Sequence, residues 1–169
     1  MPGGALAIPF ANRLIEPINL LMPLFSYVVA TQDFHPQNHA SFKDLWPVHC
    51  VAGSYGAELV AGLDRSRIQK IFRKGEDPLI DSYSAFFDNE HSKQTGLAQD
   101  LRAHGVNSLY LVGVATEYCV LYSALDALDL GFEVNLITDA CCGLDDQAVE
   151  KAYEMLVARR GHLVTKELQ

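Results

Sequence analysis

The sequence predicts an α/β fold in three layers, α/β/α, with helices on either side of a mostly parallel sheet. Two observations lead to this class. Short β-rich runs alternate along the 169 residues with amphipathic segments of helical period. One of those runs, Leu109-Tyr110-Leu111-Val112, is apolar without alternation, as in a parallel strand covered on both faces. A single domain over 1–169 is expected, with 49% hydrophobic residues to close one core.

In chain order, an amphipathic segment at Ala11–Met22 precedes a first strand at Tyr27–Thr31. A second strand is expected at Ile68–Arg73 and a helix at Thr95–His104. The apolar strand, Ser108–Val114, runs into a helix at Glu117–Leu130. There Val120, Leu121, Ala124, Leu125 and Leu128 recur at helical spacing, and Gly131 supplies a stop. Strand Glu133–Thr138, helix Asp145–Arg159 and strand His162–Thr165 complete the series. Gly, Asp or Lys near the strand ends limits each run. Ligands of such folds collect at the carboxyl ends of the strands.

Composition narrows the function. The net charge is −8 and no run of lysines or arginines occurs, which argues against nucleic acid or an anionic membrane as the main partner. A small-molecule substrate is expected instead. Self-association is left open, since a homo-oligomer fits these observations as well as a monomer. No apolar stretch approaches the roughly 18 residues that a membrane span needs. The N-terminus has no basic region followed by an apolar core and cleavage site, so a cytoplasmic location is expected. The four cysteines are too few for a disulfide scaffold and read as thiols.

The first strand runs out through Thr31-Gln32-Asp33-Phe34-His35. Because side chains alternate along a strand, Asp33 and His35 project to one side at its carboxyl end. A carboxylate and an imidazole suit zinc, iron or manganese, and His39 and His49 can extend the set while leaving positions open to water. A lone histidine is more often a surface residue. Four ligand-type groups between positions 33 and 49 point instead to convergence on one divalent ion. Spacing alone does not choose between His39 and His49 as the third ligand.

At Gly113-Val114-Ala115-Thr116-Glu117-Tyr118-Cys119 a buried strand enters a helix that Thr116 can cap. Cys119 falls in the first turn, where free N–H groups and the helix dipole favour thiolate and can hold an oxyanion. Cys50, Cys141 and Cys142 lack such a junction and are expected to be small core or loop residues. Lys74 follows a strand and precedes Gly75, which lets the chain turn sharply. From a strand's carboxyl end it can point into the same crevice and further favour the thiolate.

Together these stretches resemble the nicotinamidase/pyrazinamidase branch of the isochorismatase-like hydrolases, over essentially the whole chain. The resemblance rests on Pro2-Gly3-Gly4-Ala5-Leu6-Ala7, the Asp33-to-His39 segment, Trp46-Pro47-Val48-His49-Cys50 and Lys74-Gly75. Asp81-Ser82-Tyr83-Ser84-Ala85-Phe86, the Gly113-to-Cys119 junction and Asp139-Ala140-Cys141 complete it. It implies an Asp-Lys-Cys triad beside a bound metal, with Lys74 and Cys119 as two of the triad. Asp33, His35 and His49 take the place of metal ligands, and His39 matches a position that coordinates in only some members. A cis peptide is implied between Val114 and Ala115, with the N–H groups of Ala115 and Cys119 as the oxyanion hole. Trp46 and Tyr83 resemble walls of the substrate pocket. Zinc is the implied metal, with iron and manganese as alternatives.

One departure from the family stands out. Its triad aspartate lies on a first strand in the middle of the sheet, just upstream of the Pro-Gly-Gly motif that begins here at Pro2. The expectation is that this strand and its base are missing and that the natural protein extends upstream of Met1; a shortened or inactive form is the alternative. For the complete enzyme the resemblance implies hydrolysis of nicotinamide to nicotinate and ammonia through a cysteine thioester, in NAD salvage. Two other readings are a hydrolase of another small amide and a catalytically inactive metal-binding remnant.

Overall fold

Among the described residues five strands form, all in parallel pairs. β1 (Val29–Asp33) lies beside β2 (Lys70–Lys74), while β3 (Ser108–Val114), β4 (Glu133–Cys142) and β5 (His162–Val164) follow one another in a second sheet. The α-helices are α1 (Ile15–Leu21), α2 (Leu97–Ala103), α3 (Leu121–Asp129) and α4 (Asp146–Ala158). The computed structural model describes residues 3–167. Pro2, the first residue of the Pro-Gly-Gly motif, lies outside them.

Strand and helix alternate in the expected order, with shifted ends. β1 and β2 extend to Asp33 and Lys74, so both side chains stand on the last residue of a strand instead of beyond it. The first amphipathic segment is not one helix: α1 sits between single 3-10 turns at Ala11–Leu14 and Met22–Leu24. Pro23 lacks the N–H that a continuing helix would need. The third helix begins late, at Leu121, because Thr116–Val120 forms a single π turn.

The main core gathers where α2, α3 and α4 meet the second sheet. Leu97 and Leu101 of α2, Ala124 and Ala127 of α3, Val134 and Leu136 of β4 and Leu156 of α4 are all buried there. Each large aliphatic side chain removed from water contributes about 1.5–3 kcal/mol. Leu156 is fully buried, so Leu156→Ala is expected to cost about 2–5 kcal/mol through the void it leaves.

The strands do not form one continuous sheet but two, β1-β2 and β3-β4-β5. Among the described residues no strand bonds to both β1 and β3. A cavity of about 420 Å³ lies there instead, lined by Val29, Ala30 and Thr31 on one side and Leu109, Leu111 and Val112 on the other. The carboxyl ends of β1, β2 and β3 nevertheless converge, since Lys74 reaches both Asp33 and Cys119.

Candidate active site

The parallel register of β1 and β2 sets Asp33 directly beside Lys74. A cross-strand pair of opposite charge results, with the Lys74 ammonium on the Asp33 carboxylate. Lys74 is buried, at 5% exposure, and its Nζ also donates to the Ser82 carbonyl at 2.7 Å and to Cys119 Sγ at 3.4 Å. Burial alone would discharge the lysine. The Asp33 carboxylate and the Cys119 sulfur outweigh that penalty and hold it as an ammonium, well above its ordinary range. Asp33 is held below the usual carboxylate range: burial opposes its charge, but Lys74, with His35 and His49, prevails.

Cys119 arrives from the other sheet. After β3 the Val114–Ala115 peptide is cis, as the resemblance implies, and the chain makes its π turn before entering α3. The Ala115 carbonyl accepts from the N–H groups of Tyr118 and Val120, at 3.2 and 3.1 Å. The Ala115 N–H lies against the Cys119 sulfur. Two expectations need correction here. Thr116 does not cap this turn: its hydroxyl is buried and unpaired, and Ala115 occupies the cap position. Nor is the Cys119 thiol lowered. Burial pushes it up, and the opposing pull of Lys74 and of the Ala115 N–H does not compensate.

The remaining thiols behave as small structural groups. Cys141 is buried, which pushes its thiol up to about 12, and burial raises Cys50 to about 11. The Cys50 carbonyl has a scaffolding part, accepting the His35 N–H at 3.0 Å.

Two ligand groups share His35. Asp33, His35 and His49 bring one donor atom each within 4.8 Å of one another, and so do His35, His39 and Asp81. The imidazoles are oriented from behind. His35 Nδ1 donates to the Gly75 carbonyl and His49 Nδ1 to the Pro47 carbonyl, each at 2.8 Å, while His39 Nδ1 pairs with Ser41 Oγ at 2.7 Å. In each ring Nε2 is left to bind, which is how metal-binding histidines are usually held. His39 Nε2 is buried with no hydrogen-bond partner. Burial keeps His35 below its ordinary value and therefore neutral. A carboxylate with neutral imidazoles suits a divalent transition metal, so the residues present fit such an ion. Gly75 permits this packing: its φ is 64°, and a Cβ there would stand 2.4 Å from His35 Cε1.

Trp46 and Tyr83 do come together, the indole Nε1 donating to the Tyr83 hydroxyl at 3.3 Å. Two residues were missed from sequence. Tyr118 packs edge-on against both, with ring centroids 5.1 Å from Trp46 and 5.4 Å from Tyr83. Its place one residue before Cys119 was the available signal. Asp81 lies in a motif with no sign of a ligand role, and only the fold brings it to His35 and His39, which are 46 and 42 residues away along the chain.

The isochorismatase domain model matches residues 2–167. The nicotinamidase of Escherichia coli strain K12 is 40% identical over 176 residues, covering 91% of this chain and 83% of its own. Among solved structures, PnC1 of L. infantum in complex with nicotinate superposes with a TM-score of 0.94 at 40% identity, covering 97% of this chain and 85% of that one. The pyrazinamidase of Pyrococcus horikoshii in complex with zinc gives 0.88 at 41% identity, covering 98% and 92%. The three-layer α/β/α fold is thus that of these hydrolases. This chain belongs to the isochorismatase domain family.

Proposed function

We propose that the chain is a nicotinamidase, hydrolysing nicotinamide to nicotinate and ammonia, with Cys119 as nucleophile and a divalent metal, zinc foremost, held by Asp33, His35 and His49. His39 and Asp81 extend the ligand set. The observation that carries this reading is the buried Lys74 ammonium lying between Asp33 and Cys119 Sγ, beside the ligand group. The likeness to relatives described as nicotinamidases supports the substrate.

The thiol is raised by burial, so it must lose its proton to a base as it attacks. In the triad that the resemblance implies, an aspartate is that base. Lys74, already an ammonium, stabilises the thiolate. Sulfur bonds to the carboxamide carbon while the N–H groups of Ala115 and Cys119 receive the oxyanion. The C–N bond then breaks, the amide nitrogen takes the proton and ammonia leaves. Water attacks the resulting thioester, the C–S bond breaks, and nicotinate departs as the thiol regains a proton. A bound metal would hold the pyridine nitrogen, directly or through water, and so orient the ring. Trp46 and Tyr83 flank that ring. The product would enter NAD salvage.

A second reading, a metal-binding form without turnover, is favoured by one observation: the carboxylate that meets Lys74 belongs to the ligand group, so among the described residues the acid beside the raised thiol is already a candidate ligand. Incubating the zinc-loaded chain with nicotinamide separates the readings. Equal amounts of nicotinate and ammonia are expected; bound zinc without product would favour the second.

A further inference from the structure

The turn that presents Cys119 is anchored on its far side by Glu117. This carboxylate is buried, at 8% exposure, two residues before Cys119. Its Oε1 accepts the backbone N–H groups of Leu144 and Asp145 at 2.6 and 3.1 Å. Those residues lead into α4, where Asp145 is the cap, so the charge sits at a helix N-terminus that favours it. The space is shaped for the carboxylate. A Cβ on Gly143 would stand 2.4 Å from Glu117 Oε2 and 2.2 Å from Val149 Cγ2.

Apart from apolar packing through Val120, Glu117 is the polar side-chain tie of the turn on this side. Thr116 makes no side-chain hydrogen bond, and the turn has no side-chain cap. Toward α3, Ser123 Oγ donates to the Cys119 carbonyl at 2.5 Å and accepts the Ala85 N–H at 2.8 Å. Burying a carboxylate costs free energy that an apolar residue would not incur. Two charge-assisted bonds on Oε1, crossing from the turn to the residues that lead into α4, offset part of that cost, while Oε2 is buried with no hydrogen-bond partner.

We propose that Glu117 is a positioning residue. By tying the turn to the start of α4, it keeps Cys119 Sγ on Lys74 and on the Ala115 N–H. The catalytic part of this inference rests on the nicotinamidase reading; the placement of the sulfur does not.

Three variants test it. Glu117→Gln keeps an oxygen that accepts both N–H groups, Glu117→Asp keeps the charge but falls one methylene short, and Glu117→Ala removes the anchor. The Asp and Ala variants are expected to lose about 10- to 100-fold in kcat on nicotinamide with KM changed less than about threefold, whereas Gln stays within about threefold of the parent. Alkylation by iodoacetamide, mapped by peptide mass spectrometry, supplies the independent measure. Release of the turn frees the sulfur from its burial, so Cys119 is expected to react at least about fivefold faster at pH 7.5 in Asp and Ala, with Cys141 still protected. If Ala does not fold, the contrast between Asp and Gln decides. Unchanged kcat and alkylation in the Asp variant would overturn the proposal, as would a Gln variant as impaired as Asp, or Cys141 opening together with Cys119. A parent inactive on nicotinamide would refute the substrate reading and leave the alkylation result to judge Glu117.

Discussion

Lys74 Nζ stands 3.4 Å from Cys119 Sγ while the same ammonium rests on the Asp33 carboxylate. One buried cation thus joins the two sheets at the place where they are otherwise separated. Lys74→Met removes the charge but keeps most of the stem. It is expected to lower kcat about 100-fold or more, as loss of a preorganised electrostatic partner does. It also leaves the Asp33 carboxylate unpaired, so denaturant unfolding should show a loss of about 3 kcal/mol.

The pH dependence of stability follows from Asp33. Its folded carboxyl is held below the usual range, so its stabilisation is complete above the unfolded value near 4 and is lost as pH falls through the lower folded value. Metal-free protein should therefore lose unfolding free energy as pH falls from about 5 to 3. Lys74→Met should flatten that slope. An equal slope in both proteins would detach Asp33 from the effect.

Metal content should separate the ligand residues. His35 belongs to both ligand groups, and Asp33 and His49 to one. His35→Ala is expected to abolish zinc binding, while His49→Ala weakens it by about 10-fold or more, read by equilibrium dialysis and metal analysis. Asp81→Asn is expected to weaken zinc as well. If it does not, the ion sits with Asp33, His35 and His49 alone.

The aromatic wall should act on binding more than on chemistry. Trp46→Ala removes the indole that meets Tyr83 and Tyr118. KM for nicotinamide is expected to rise about tenfold, some 1.4 kcal/mol, with a smaller change in kcat.

What could be read from sequence and what could not divide along physical lines. Among the described residues the pattern of apolar positions located the five strands and the four α-helices, though not their ends or the short 3-10 turns, because the apolar face of each long element must meet the core. Local chemistry singled out Asp33, His35, Lys74 and Cys119, each at a strand end or a strand-to-helix junction. Register could not be read. The pairing of Asp33 with Lys74 depends on how β1 slides along β2, and a shift of one residue would have turned the lysine away. Burial could not be weighed either. The helix terminus and Lys74 were expected to lower the Cys119 thiol, yet desolvation dominates, and its size depends on the packing around the sulfur. Asp81 lies in a loop with no period to mark it, so only the folded chain brings it to His35.

The most direct test of Cys119 as the nucleophile is ammonia release from nicotinamide by the zinc-loaded parent and by Cys119→Ala, with metal content measured on both. The parent should release ammonia, and the variant should release none while binding zinc as the parent does. Turnover retained by Cys119→Ala would contradict the mechanism.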